Sequence, residues 1–477
     1  VNALREALDA WWSGIEVRLD TSLARPAGAI LYTKGGRASG PEPLREAMAH
    51  IRDIILWRQG RKLRPIDVHD IACWIASASI SGGVRRSALI ALFDVDDQEM
   101  LNAKAGAFWE HNPQRMYANN SAVLTDDVPD AVMLALLRQM DANGTGEPGL
   151  VNRDGMRRHR PVRRADYPFL TNPCSEVALR NMETCNLSSA VCRAEDTLWD
   201  LLCKVEVATI IGTIQSMADD FKGLRPEWRQ NQIEERLLGV DLNGQMDSRL
   251  VQDPSVQRTL REHIVRINRY YARILGINPA AAASATKPSG NSSQMLNSSS
   301  GLHARWSPYY IRHVRFNTHS PVRRLLAAHG VPMFPENGQT EENATTWVVP
   351  FPVKSPEGAV CRRDRSALEQ LEYIKQVRLN YTEHQPSCTV HYWPHEMPDI
   401  LDWAKTNREY IAGLSFLPAD DHAYPLAPYV EISAEEYAQH AAAFPEIDFS
   451  RLPEFEAEDL TTGTGELACI AGACETL

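Results

Sequence analysis

No apolar run in this 477-residue chain approaches the roughly 20 residues a membrane helix needs, so a membrane span is not expected. Positive charge is also in short supply, with 50 Lys and Arg against 61 Asp and Glu and a net charge of −11. A general nucleic-acid binder would carry a basic footprint, so any anionic ligand must instead be held by a local site. Cysteine is sparse, odd in number at nine, and irregularly spaced, and no charged-then-apolar leader precedes it. That pattern argues against the disulfide framework of a small secreted domain and points to a reducing cytoplasm. No internal repeat is evident.

Helix-like and strand-like segments alternate from about residue 41 to about residue 405, the pattern of an α/β architecture. Pro41 to Ile55 has prolines near its start and an apolar line at Leu44, Met48, Ile51 and Ile55. Val256 to Leu275 repeats Val256, Leu260, Ile264, Ile267 and Ile274 at helical spacing. Short apolar runs at 87–93, 348–353 and 388–393 read as buried strands. The chain enters a helical pattern at once, with Val1, Leu4, Leu8, Trp11, Trp12 and Ile15 on one face, as expected of a body cut from something longer. After about residue 440 the composition changes. From Pro445 to Leu477 eight carboxylates stand against one cation, Arg451, so burial can hardly offset the entropy of ordering. The expectation is a catalytic body over 1–440 and a flexible tail over 441–477 that carries Cys469 and Cys474.

A second cysteine pair lies in NPCSEVALRNMETCNLSS, residues 172 to 189. Pro173 biases Asn172 towards extended backbone. In an extended segment Asn172, Cys174 and Glu176 share one face, bringing amide, thiol and carboxylate together. Cys185 follows eleven residues after Cys174, a spacing that suits neither a zinc pair nor a C-x-x-C redox pair. From the residues alone, a buried structural cysteine beside a hydrogen-bonded glutamate remains an open alternative.

NPCSEVAL followed by ETCNLSS resembles the active-site segment of the ribonucleotide reductases. The resemblance extends to ASGPEPL, GGVRRSALIAL, RMYANNSAV, TKPSG, YYIRHVRF, FPVK and LPADDHAYPLAPYVEISAEEY, and is best to class II, near its monomeric triphosphate-reducing branch. It implies a ten-stranded α/β barrel with its N-terminal strands missing. It also implies a thiyl radical at Cys174, with Glu176 as general base, Asn172 binding the ribose and Cys185 as a reducing thiol. Cys469 and Cys474 would re-reduce the active-site disulfide and be reduced by a thioredoxin-like protein. Pro288, Ser289, Gly290, Asn291, Ser292 and Ser293 would hold the substrate phosphates at a helix start. Gly82, Gly83, Val84, Arg85, Arg86 and Ser87 would form the specificity loop, with Arg85 nearest the substrate and the diglycine as hinge. RMYANNSAV carries no assigned step.

The implied cofactor is adenosylcobalamin, a reservoir of carbon-centred radical. The glycyl-radical class needs a C-terminal R-V-x-G-Y-type segment, which is absent. The diiron class uses a tyrosine pair shortly before the tail, and Tyr309-Tyr310 belongs to another segment. Asp67-Val68-His69 resembles the start of a corrinoid D-x-H-x-x-G signature but has Ala72 in the glycine position, so no metal ligand is named. Implied partners are a ribonucleoside triphosphate or diphosphate, a dNTP or ATP effector, and a missing N-terminal fragment bearing the cysteine that pairs with Cys185. Cys73, Cys192, Cys203, Cys361 and Cys388 read as core or bystander thiols. A diiron-dependent reductase and an inactive nucleotide- or cobalamin-binding remnant are the competing readings.

Overall fold

Among the described residues, eleven of the strands build the central and the second sheet. They are β1 (Leu89–Asp94), β2 (Ala118–Leu124), β3 (Gly149–Asn152), β4 (Asn186–Val191), β5 (Leu238–Asn243) and β6 (Tyr309–Asn317), then β7 (Phe334–Pro335), β8 (Thr346–Lys354), β9 (Cys388–Tyr392), β10 (Ala412–Pro418) and β11 (Tyr429–Glu431). The computed structural model describes residues 2–29, 38–81, 84–85, 87–337, 339–344, 346–419 and 426–456.

The central sheet starts with β1, β2 and β3 in parallel. It continues through an antiparallel seam from β3 to β10, and then β9 lies parallel to β10. Parallel bridges carry it onward, Thr286 pairing with Pro386 just before β9 and Ser284 with Val240 in β5. β5 then pairs in parallel with β4. Eight segments therefore follow one another, and among the described residues no ladder joins β4 back to β1. The α/β class expected from the sequence is present. Of the ten barrel strands implied by the resemblance, the described residues hold this open series.

The strands at the centre of this series, β2, β3, β5 and β9, are buried along most of their length, whereas β1 and β4 are only partly covered. All six residues of β5 are buried, including Asp241 and Asn243. Helices supply the cover. Leu198–Gln215 is opened by a capping box in which the Thr197 hydroxyl accepts from the Asp200 backbone and the Asp200 carboxylate accepts from that of Thr197. Pro254–Leu275 starts at Asp253, which accepts from the Ser255 backbone, and ends at Gly276 in the left-handed region. Its Val256, Leu260 and Ile264 are buried, as the 3.6-residue period predicts. At the N-terminal end, Asn2–Trp12 packs on Glu42–Arg58 through Ala7, Trp11, Met48, Ile51 and Ile55. No helix of the described residues is long and apolar enough to cross a membrane.

A second, antiparallel sheet has the order β7-β8-β6-β11. Its apolar side is closed by Leu326, Val331 and Val349 with Phe351, Phe444 and Ile447. Packing therefore continues beyond residue 440, where composition predicts the end of the body, because Phe444 and Ile447 supply the apolar area that the surrounding acidic residues lack. Cys469 and Cys474 lie outside the described residues, as do Gly82, Gly83 and Arg86.

Candidate active site

The site is built around one short loop. Leu170–Thr171 and Ala178–Leu179 form a two-rung hairpin, and residues 172–177 make its turn. The Ser175 N–H donates to the Asn172 carbonyl at 2.9 Å. The Val177 N–H donates to Asn172 Oδ1 at 2.9 Å. Ser175 has φ 66°. The extended geometry expected for Asn172, Cys174 and Glu176 is therefore corrected to a turn. The physical reason is that Pro173 not only restrains Asn172 but also pre-sets φ for the second position of a turn, and asparagine suits the first. The turn still gathers the same groups: the Asn172 amide hydrogen-bonds the Glu176 carboxylate, and half-buried Cys174 sits at the tip.

Three strand regions hold this loop. Asn119 Nδ2, at the start of β2, donates to the Pro173 carbonyl at 2.8 Å. The Gln385 N–H, ahead of β9, donates to the Glu176 carbonyl at 2.8 Å. Gly413 in β10 has φ 67°, and a Cβ there would lie 3.2 Å from both the Ser175 and Pro386 carbonyl oxygens. Only glycine lets β10 pass so close at that backbone angle. RMYANNSAV thereby gains a function: Asn119 holds the thiol's backbone. An Asn119→Ala variant is expected to lose about 1 kcal/mol of stability, the size of one hydrogen bond. Turnover should fall more than nucleotide affinity, checked by separating kcat from KM.

Below the loop lies a buried ionic network. Arg164, 2 % exposed, donates to Glu235 at 2.6 Å, to Glu183 at 3.3 Å and to the Ala178 carbonyl at 2.9 Å. Arg180 adds a bond to Glu183 at 3.1 Å, and the Arg164 guanidinium lies over the Phe169 ring. Burial, with Glu235 close by, raises the Glu183 carboxyl above its ordinary range. The network clamps the hairpin to the segment that leads to Cys185.

Glu176 is buried, and its Oε2 has no hydrogen-bond partner. Burial raises its carboxyl above the ordinary range, opposed by the Asn172 bond and reinforced by Asp241. Cys185 is free, and burial together with the charge of Glu176 pushes its thiol up to about 12, so it remains S–H at neutral pH. Asp241 is buried between the Ser189 hydroxyl at 2.7 Å and the Lys287 N–H at 3.0 Å. It thereby fixes the start of the Pro288–Ser293 segment.

That segment opens a short helix, Gly290–Met295, whose first-turn N–H groups have no partner within the helix. Pro288, Gly290 and Ser293 line a cavity of about 110 Å³ closed by His303, Trp306 and Tyr429. Ser289 and Ser293 are buried, but the Ser289 N–H is already given to Ser300 Oγ at 2.7 Å and the Ser293 hydroxyl to the Ser289 carbonyl. Those two groups are committed to loop structure. Ser292 and Asn291 contribute their backbone to the helix start. Of the residues expected to form a specificity loop, Val84 pairs with Ser81 and Arg85 with Ile80, and the Ser87 hydroxyl donates to the Ala76 carbonyl at 3.0 Å.

His69 is buried, with Nε2 2.9 Å from Asn120 Oδ1 and Nδ1 3.4 Å from Asp70. Arg115 holds Asp70 with two bonds of 2.8 and 2.9 Å. Cys73, Cys192, Cys361 and Cys388 are buried, whereas Cys203 is exposed. Cys388 lines the cavity beside Cys174, and its Sγ accepts from Gln370 Nε2 at 3.3 Å.

No protein-family model matches the chain. The adenosylcobalamin-dependent ribonucleoside-triphosphate reductase of Lacticaseibacillus paracasei is 27% identical over 467 residues, covering 89% of this chain and 61% of that one. The enzyme of the same name from Lactobacillus acidophilus is 26% identical, covering 96% and 65%. The chain thus spans less than two thirds of the length of these curated relatives. A crystal structure of a B12-dependent, class II ribonucleotide reductase matches with a TM-score of 0.75 at 23% identity, over 94% of this chain and 65% of that one. Along nearly its whole length the chain is thus similar in sequence to adenosylcobalamin-dependent ribonucleoside-triphosphate reductases, and it shares the fold of a class II ribonucleotide reductase.

Proposed function

We propose that the chain carries the radical thiol, the base and one reducing thiol of a ribonucleoside-triphosphate reductase that works with adenosylcobalamin. The observation that carries this reading is the 172–177 turn, which sets a half-buried thiol at Cys174 beside a buried, partly unpaired carboxylate at Glu176. Both named relatives are reductases of this kind.

When bound, adenosylcobalamin supplies a carbon-centred radical. A partly exposed Cys174 suits hydrogen-atom transfer to a group arriving from outside. Asn120 and Glu147, each with one unpartnered buried polar atom, line the cavity adjoining Cys174 and would be among the residues facing the cofactor's polar groups. No cobalt ligand is assigned, and both His69 nitrogens are engaged within the fold.

The thiyl form of Cys174 takes the hydrogen atom from C3′ of the substrate ribose, and Glu176 accepts the 3′-hydroxyl proton while Asn172 orients the same region. The C2′–O bond then breaks and water leaves. Cys185 provides one of the two thiols oxidised to a disulfide and the cysteine of the N-terminal fragment provides the other, so that two electrons and two protons reduce the ribose and release water; the raised pKa of Cys185 keeps its S–H hydrogen available for transfer. Cys469 and Cys474 reduce that disulfide by exchange and are themselves reduced by a thioredoxin-like dithiol. The Pro288–Ser293 segment receives the substrate phosphates through the backbone at the helix start, and Arg85 with the 82–87 loop conveys the identity of a nucleotide effector. The product is a 2′-deoxyribonucleotide, a precursor for DNA synthesis in the cytoplasm.

The reading is tested by single-turnover reduction of a ribonucleoside triphosphate by the dithiol-treated chain, supplemented with an N-terminal fragment that carries the partner cysteine, with and without adenosylcobalamin. Deoxynucleotide is expected only with the cofactor, and cofactor-independent product or none at all would contradict it.

Glu176 also gives a pH-dependent prediction. Its folded pKa is raised, so stability tied to its neutral form is complete below the unfolded pKa and is lost as pH rises through the folded one. Glu176→Gln is therefore expected to melt higher than the parent, by a margin that grows across that window, while losing turnover. Melting curves at several pH values check the margin. A constant or reversed difference would contradict the assignment of a destabilising buried charge.

A further inference from the structure

The chain carries a net charge of −11, yet one groove on its surface is basic. Arg163, Arg261, Arg266, Arg269 and Arg273 line it, and its volume is about 660 Å³. Four of these arginines come from Pro254–Leu275, whose only carboxylate is Glu262. Arg261 and Arg273 bracket a stripe about 18 Å long, given the rise of a helix. Three of the arginines have partners within the fold. Arg163 pairs with Glu383, Arg261 donates to the Leu379 carbonyl at 3.0 Å, and Arg266 donates to His263 Nδ1 at 2.6 Å. Arg269 and Arg273 are exposed and have no hydrogen bond or ion pair among the described residues. They stand four residues apart, a like-charge spacing that destabilises a helix unless an anion lies between them.

The groove offers side chains along the middle of a helix, whose backbone N–H groups are spent within it. That differs from the backbone cradle that grips a compact phosphate, because the charges are strung out in a line. Such a line fits an extended acidic peptide, and this chain has one. Residues 457–477, which lie outside the described residues, contain Glu458, Asp459, Glu466 and Glu475 and no Lys or Arg. Asp459 and Glu466 are seven residues apart, about 23 Å when extended, close to the length of the arginine stripe. The segment leaves from an anchored place, since Arg324 donates to the Phe455 carbonyl. From there its 21 residues span on the order of 70 Å, about three times the radius of gyration of a compact chain of this length.

We propose that the acidic C-terminal segment docks in this arginine groove, with Glu458 and Asp459 at one end of the stripe and Glu466 at the other, and so holds Cys469 and Cys474 against the body. Arg163 in the groove wall is next in sequence to Arg164, which bonds Glu183 two residues before Cys185. The docked dithiol is thereby kept on the side of the hairpin that leads to Cys185. The docking rests on charge alone, and its use in the relay rests on the reading of Cys469 and Cys474 as the reducing pair.

The test is zero-length carbodiimide crosslinking of the full chain, which joins a lysine to a carboxylate in contact with it. Arg269→Lys and Arg273→Lys, made separately, keep the charge at exposed positions and place an amine in the groove. The exposed Lys62 and Lys222 serve as internal controls. Peptides joining the groove lysine to residues 458–466 are expected about tenfold above those joining either control to the same residues, the ratio that roughly 1.4 kcal/mol of docking gives. They are expected to disappear at 1 M salt, where the screening length is about 3 Å. Glu458→Gln combined with Asp459→Asn is expected to lower the remaining link to Glu466 severalfold, in a chain whose body is untouched. Groove links no more frequent than control links would overturn the docking and leave the reductase reading, which turnover tests, intact. Links between isotopically distinct copies would place the segment of one chain on another and overturn docking within the chain. Loss of the links on adding a ribonucleoside triphosphate, but not sodium chloride of equal ionic strength, would assign the groove to a nucleotide and likewise contradict the proposal. Two independent lysine positions, each checked by its melting curve, keep a misfolded variant from deciding the outcome.

Discussion

Cys174→Ser is expected to abolish nucleotide reduction in a single turnover, by at least about 10⁴-fold, the order seen when a bond-making group is removed. Serine is close to cysteine in size, and Cys174 is half-buried at the tip of a turn, so the melting temperature should scarcely move. The loss follows from the chemistry: an O–H hydrogen is far harder to abstract than an S–H hydrogen, so the variant binds but does not initiate. Nucleotide affinity should be unchanged, because the Pro288–Ser293 segment and its cavity do not include residue 174. A variant that lost affinity and turnover together would instead indicate a structural cysteine, the competing reading of the residues themselves.

The largest expected effect on stability comes from Arg164→Met. Methionine keeps only the apolar stem, and the charge-assisted bonds to Glu235, Glu183 and the Ala178 carbonyl disappear, leaving Glu183 and Glu235 buried with one fewer cation. Breaking a buried ion pair from one side costs about 3–5 kcal/mol. Burial already raises Glu183 within the intact network, so removing a guanidinium should favour its protonated form further. The variant's deficit is therefore expected to shrink as pH falls, since the carboxylates can then be neutral. Urea unfolding at neutral and acid pH measures this. A deficit below about 1 kcal/mol at neutral pH would mean that packing alone holds the hairpin and that the ion pairs of Arg164 do not clamp it.

The elements whose order comes from local periodicity are legible in the sequence. Val256, Leu260 and Ile264 repeat at helical spacing and are buried in Pro254–Leu275, and the runs at 87–93, 348–353 and 388–393 form β1, β8 and β9. The turn at 172–177 is not legible in the same way, because Pro173 favours both an extended predecessor and the second position of a turn. That choice is made by distant groups: Asn119 and Gln385 bond the loop backbone from 54 residues upstream and from just ahead of β9. Likewise, nothing local marks Asn120, Lys104 and Glu147 as one cluster. Lys104 and Glu147 are 43 residues apart, and the pairing of β2 with β3 brings their surroundings together. RMYANNSAV can be matched as a pattern, but the tasks of Asn119 and Asn120 emerge only from that pairing. Residue type also fails to separate the serines of the phosphate segment. Ser293 spends its hydroxyl on the Ser289 carbonyl and Ser289 its backbone N–H on Ser300, while the buried Ser289 hydroxyl keeps no partner, so the proposed phosphate contact divides unequally among them.

The most direct test of the central claim uses a ribonucleoside triphosphate carrying deuterium at C3′, in a single turnover by the dithiol-treated chain with adenosylcobalamin and an N-terminal fragment that carries the partner cysteine. The predicted result is a 2′-deoxynucleotide formed more slowly than from the unlabelled substrate and not formed by Cys174→Ser. Product released at the parental rate by Cys174→Ser would contradict the assignment of Cys174 as the radical thiol.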